Sequence, residues 1–186
     1  MALKFPDKDP DERLDYTIDW SRYLDTLTIA SSPQWTFITH SATATTNGAV
    51  SSSTSVTLDG NDGTIGVGMT VTGTGISGTV TVSAVGSQTS ITLSSAQTIA
   101  DDVTLTFAST AGVESPALAT SGNNTVHGMT VQSLASTDTT ATIVLSGGTA
   151  NQETKFLCQI TTTTNSATGA AIVTKRAVNL KVRERV

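Results

Sequence analysis

Among its 186 residues the chain has one cysteine, two histidines and four prolines. The lone Cys158 has no partner for an intrachain disulfide, so packing must hold the chain together. With His40 and His127 far apart in sequence, no zinc-ligand spacing is present. Aromatics make up 4% and charged residues 13%, against a usual charged share of about 25%. Long amphipathic helices need a charged face and a Leu-rich stripe, and this composition supplies neither. Ten Lys and Arg against fifteen Asp and Glu give a net charge of −5, which excludes a basic nucleic-acid-binding domain. No apolar run approaches the roughly 20 residues of a membrane-spanning helix. The N-terminus lacks a basic segment followed by an apolar one, so neither a secretory leader nor a membrane partner is expected.

Small hydroxylated residues fill the space. Thr (37) and Ser (21) together approach a third of the chain. β-Branched Thr, Val and Ile favour pleated strands because their χ1 is stiff. Composition therefore points to an all-β protein.

Charge is unevenly placed. Residues 1–25 carry four cations against seven acids. Residues 172–186 carry five cations against one acid, and the stretch between has one cation, Lys155, against seven acids. An acidic head and a basic tail can attract each other, within one chain or between subunits.

Residues 1–13 hold two prolines and seven charges with neither a helical nor a strand period, which predicts an extended arm. Its apolar Leu3 and Phe5 suggest docking, so Leu3, Lys4, Phe5, Pro6 and Lys8 are the candidate partner-binding residues. From Leu14 the period becomes two: Leu14, Tyr16, Ile18 and Trp20 alternate with Asp15, Thr17 and Asp19, as in a half-buried strand. Leu24–Ala30 and Gln34–Ile38 predict two more strands, with Trp20 and Trp35 as core anchors. Residues 49–108 contain no Trp, Tyr, Lys or Arg, only short alternating segments broken by Gly and Asp turns. This predicts a small β-module inserted over 41–121, with Phe107 in its core and a Ser/Ala/Gly-rich linker back at 109–124. Strands resume near Val126 and Val131, then at Thr140–Leu145, Thr154–Thr163 and Ala170–Glu184. The third of these places Phe156, a further core anchor, on one face with Cys158 and Ile160. Three strands before the insertion and about four after it predict an immunoglobulin-like antiparallel β-sandwich over 14–40 and 122–186.

Tests for chemistry come out negative. Gly73-Thr74-Gly75-Ile76-Ser77-Gly78 fits the dinucleotide pattern in letters, but no helix pattern follows to receive a pyrophosphate. Asp59-Gly60-Asn61-Asp62-Gly63 lacks the spacing and closing Glu of an EF-hand. No G-x-S-x-G elbow occurs. The neighbours Asp101-Asp102 and Asp11-Glu12 point to opposite faces of a strand, so neither is a carboxylate pair for acid–base work. Asn123-Asn124-Thr125 is a formal glycosylation sequon. No catalytic, cofactor or metal residue is assigned, and no enzyme is expected.

Several stretches resemble a family of small tailed-bacteriophage virion structural proteins. They are Ala2–Pro10, Leu14–Ser21, Ala141–Ala150, and Cys158–Thr162 leading to Leu180–Arg185. The usual form of that family is shorter, so residues 41–121 depart from it; they are similar to Gly/Thr-rich β-repeats of phage and bacterial surface proteins. The resemblance implies a capsid decoration (cement) protein made in the host cytoplasm and carried on the head shell. Its partners would be the major capsid protein or other virion proteins, in a homo-oligomeric or symmetric multi-copy assembly without nucleic acid. A low-copy connector, neck or tail-fibre component is the alternative. A soluble carbohydrate-binding module is a remote one, since the middle segment has almost no aromatics for sugar stacking.

Overall fold

The computed structural model describes residues 3–119, 125–165 and 168–184. The first two residues of the predicted arm, the end of the predicted linker with Asn123 and Asn124 of the sequon, residues 166–167 and residues 185–186 lie outside them. The chain begins with β1 (Leu3–Lys4), β2 (Arg13–Asp19), the single-turn α1 (Ser21–Leu24) and β3 (Gln34–Thr46). Next come β4 (Val50–Asp62), β5 (Thr70–Thr72), β6 (Val80–Ser87), β7 (Ser90–Ile99) and β8 (Thr104–Glu114). It ends with β9 (Thr125–Val126), β10 (Met129–Ser136), β11 (Thr140–Gly147), β12 (Glu153–Thr161) and β13 (Val173–Lys181). Among the described residues the secondary structure is all-β apart from α1.

Two compact units divide the chain, residues 1–38 with 116–186 and residues 39–115. The first unit has two four-stranded sheets, β1-β13-β12-β3 and β2-β11-β10-β9, in which the start of β3 supplies the Gln34–Ile38 edge. All described neighbours are antiparallel except β1, which runs parallel to β13. In β2, Tyr16 and Ile18 are buried while Asp15, Thr17 and Asp19 are exposed. β12 does the same with Phe156, Cys158 and Ile160. Side chains from both sheets meet in one core, with Trp20, Trp35 and Phe156 at 0%, 1% and 0% exposure.

Leu24–Ala30 does not form the expected strand. Leu24 ends α1, and the rest is a loop that bridges Ile29 to Thr162 and donates from Ile29 N to Asp138 O at 2.8 Å. The reason is topological: β2 lies in one sheet and β3 in the other, so the intervening chain has to cross between them. Asp25, at φ 52°, ends the turn in the left-handed region.

The second unit is a six-stranded barrel. Its strands follow the order β3-β4-β7-β6-β5-β8, and a β8–β3 pairing closes the ring. Closure removes the open edges that an isolated sheet exposes. Aliphatic side chains fill it, among them Val56, Leu58, Ile65, Val80, Ile91, Leu93 and Leu105, with Phe107 fully buried as its aromatic. The Gly73–Gly78 segment joins β5 to β6 without a helix. Gly75 is needed there: its φ is +87°, and a Cβ would lie 2.6 Å from the Thr98 carbonyl oxygen. The Asp59–Gly63 segment ends β4 and is tied down by Gln88, whose Oε1 accepts from Ile65 N at 2.8 Å and from Asn61 Nδ2 at 3.2 Å.

Lys8 is the least expected member of the first unit. Its side chain is fully buried, and Nζ donates to the carbonyls of Asp9, at 2.7 Å, and Glu12. Burial pushes its pKa down, opposed by Glu12, Asp9 and Asp11. The ammonium thus closes the 8–12 turn from inside.

Phe107→Ala should destabilise the barrel by about 3–5 kcal/mol. Lys8→Met, which leaves two partly buried carbonyls without their donor, should cost about 1–3 kcal/mol. Both are read from urea unfolding midpoints, and an unchanged midpoint would contradict the role given to that side chain.

Candidate partner-binding groove

The N-terminal segment lies along β13. Leu3 and Lys4 pair with Val178 and Asn179, Phe5 N donates to Asn179 O at 2.9 Å, and Lys8 N donates to Lys181 O at 2.9 Å. Two of the five candidate arm residues are buried in this placement. Phe5 packs on Tyr16 with ring centroids 4.7 Å apart, and Lys8 is buried in its own turn. Leu3, Lys4 and Pro6 are exposed.

Between β1 and β2 lies a groove of about 390 Å³. Leu3, Phe5, Pro6, Ile18 and Val178 supply its apolar walls, and Lys4, Asp19 and Arg176 its charges. Arg176 is pinned in place. Its guanidinium carbon sits 4.4 Å from the Trp20 ring centroid and 5.8 Å from that of Tyr23, and Nη1 donates to the Asp19 carbonyl at 3.2 Å. The Asp19 carboxylate accepts from Ser21 N at 2.8 Å; this bond, with one from the Ser21 hydroxyl, holds its pKa below the usual carboxylate value, and the charges of Arg176 and Arg22 add to the shift. Asp7 anchors the segment, 3.0 Å from Lys4 Nζ and 2.9 Å from Arg183 Nε. Its bond to Lys4 is the main cause of a lowered pKa; partial burial opposes the shift, and Arg183 and Lys181 add to it.

Arg176 and Tyr23 were not among the residues picked out by sequence. Alternation on β13 places Arg176 on the same face as the buried Val178 and Leu180, but only the tertiary fold brings it onto Trp20. The other chemical candidates stay apart. His40 Nδ1 meets Ser109 O at 3.2 Å, and His127 Nδ1 meets Thr154 Oγ1 at 2.9 Å. Cys158 is buried, and desolvation pushes its thiol up to about 12 against the opposing effects of Trp20 and Arg176. Among the described residues no group of three His, Cys, Asp or Glu could hold a metal ion.

A protein-family model described as "Podophage GP4 fiber-tail adaptor protein gp77" matches residues 8–106, just over half of the chain. The chain belongs to this family. It is therefore a phage virion structural protein. No curated protein matches it. The family match begins at Lys8, takes in β2 and α1, and runs through the barrel strands into β8. Most of the barrel, including residues 41–106 of the stretch expected to depart from the resembled family, lies within the matched span. The stretches from Ala141 onward, on which the sequence resemblance partly rested, lie beyond it.

The lowered Asp7 pKa sets a pH dependence. The stabilisation by this group is present above the ordinary value of 3.8 and is lost as pH falls through the lower folded value. Asp7→Asn should therefore lower the unfolding midpoint near neutral pH, and its difference from wild type should shrink as pH falls below 3.8. A difference constant across that range would show that Asp7 does not act through its charge.

Proposed function

We propose that this protein is a non-enzymatic adaptor that joins a fibre to the tail of a podophage-type virion. The observation that carries the reading is the family match over residues 8–106, which spans parts of both units. Its description favours a tail component over a capsid decoration protein. An adaptor needs two partner surfaces and no reaction centre. The chain offers an outer unit with a charged groove and a barrel of different surface character. The barrel unit, residues 39–115, contains Asp59, Asp62, Asp101, Asp102 and Glu114 and no Lys or Arg. All ten Lys and Arg belong to the other unit and are balanced there by ten acids. The two units thus suit partners of different charge.

On this reading residues 39–115 are a module inserted into an immunoglobulin-like domain. The orders β2-β11-β10 and β13-β12-β3 follow the B-E-D and G-F-C orders of immunoglobulin sheets, which supports that assignment. The exposed arm residues Leu3, Lys4 and Pro6 contribute to partner binding, in a symmetric multi-copy assembly with other virion proteins.

Quantitative mass spectrometry of purified virions tests the proposal. A ring-symmetric tail adaptor should be present at about a dozen copies or fewer. Copies in the hundreds, in fixed ratio to the major capsid protein, would overturn the adaptor in favour of a shell decoration protein. Absence from the virion would overturn both.

A further inference from the structure

We propose that the groove between β1 and β2 receives an extended acidic and apolar segment of a partner virion protein. An apolar side chain of that segment would lie against Leu3, Pro6 and Ile18, and a carboxylate would meet Arg176. The inference rests on the adaptor reading only for the source of the segment.

The charge of the groove selects the occupant. Among its lining residues Lys4 and Arg176 outnumber Asp19, a net charge of +1, and Lys4 also pairs with Asp7 beside the groove, which leaves Arg176 as the cation best placed for a partner carboxylate. Arg176 is held by Trp20, Tyr23 and the Asp19 carbonyl, so much of its side-chain freedom is gone before a partner arrives. A guanidinium fixed in this way keeps further N–H donors for a planar carboxylate, which it can bind in a fork geometry. Apolar surface is exposed nearby, with Leu3 at 49% and Tyr23 at 43%.

Recognition has to come from side chains, because both strand edges are blunted. The Phe5 N–H points to β13, so strand alternation turns the backbone of Lys4 and Pro6 outward. Pro6 has no N–H to offer an incoming strand. On β2, Trp20 N donates to Thr139 O, so the neighbouring Asp19 carbonyl faces outward, where Arg176 occupies it. Charged and proline-bearing edges of this kind resist strand addition.

The test uses the full chain and two capped peptides as probes, Glu-Leu-Asp-Leu and Lys-Leu-Lys-Leu. The acidic peptide should shift the backbone amide resonances of Leu3, Thr17, Arg176 and Val178 saturably, and the basic one should not. Arg176→Glu should weaken the acidic peptide by about tenfold or more. Leu3→Glu, at an exposed position, gives a second variant should the first fail to fold. Equal shifts with both peptides, or shifts confined to other residues, would overturn the proposal. A second arm measures binding to purified fibres and to fibreless tails. Loss of one of these by Arg176→Glu supports the groove as a partner site. Unchanged binding of the variant to both overturns the groove and leaves the adaptor reading standing. Failure of the wild-type chain to bind either overturns the adaptor reading, and the peptide shifts then decide the groove alone.

Discussion

Backbone ladders carry this protein. Small hydroxylated residues make up close to a third of the chain, so each strand has little apolar surface to bury, and what it has lies on one face. Satisfying the other demand, a partner for every strand's N–H and C=O groups, then governs the architecture. The two units meet it differently. The barrel returns β8 to β3 and has no edge to defend. The first unit keeps open strand edges and blunts those beside its groove with Pro6 and with the Arg176 contact to Asp19.

Much of the fold could be read from periodicity. The alternation at Leu14–Trp20, Thr140–Leu145 and Thr154–Thr163 corresponds to β2, β11 and β12 within a residue or two at most ends. These segments were legible because one face is buried and the other wet, and a period of two encodes that directly. Leu24–Ala30 alternates too, yet a crossing between sheets overrides it; no local signal reports which sheet a neighbour joins. Barrel closure was hidden for the same reason, since the β3–β8 pairing joins strands far apart in the chain. The Gly-rich turns were legible as turns, and Gly75 shows why: backbone conformation and close approach both exclude a side chain.

The groove was less legible than the fold. The apolar tip and charges of the N-terminal segment drew attention to the right stretch. They could not show that Phe5 and Lys8 turn inward while Leu3, Lys4 and Pro6 stay out. A buried lysine goes against the usual rule for that side chain. It is tolerated here because two carbonyls four residues or fewer away receive the ammonium. Arg176 depends wholly on tertiary contacts, since Trp20 and Tyr23 stand over 150 positions before it.

The parallel pairing of Leu3 with Val178 sets an order of assembly during synthesis. The barrel's last strand ends at Glu114, so the ring is complete on the nascent chain well before β11, β12 and β13 emerge. Until then β2 lacks its ladder partner β11, and Tyr16 and Ile18 lack the β12 and β13 side chains that share their core. Joining ends so distant carries a large loop-closure entropy and makes the outer unit the late and slow step. A ribosome-bound intermediate with a finished barrel and an exposed apolar strand is therefore the stage at which this protein is most open to chaperone capture or misassembly.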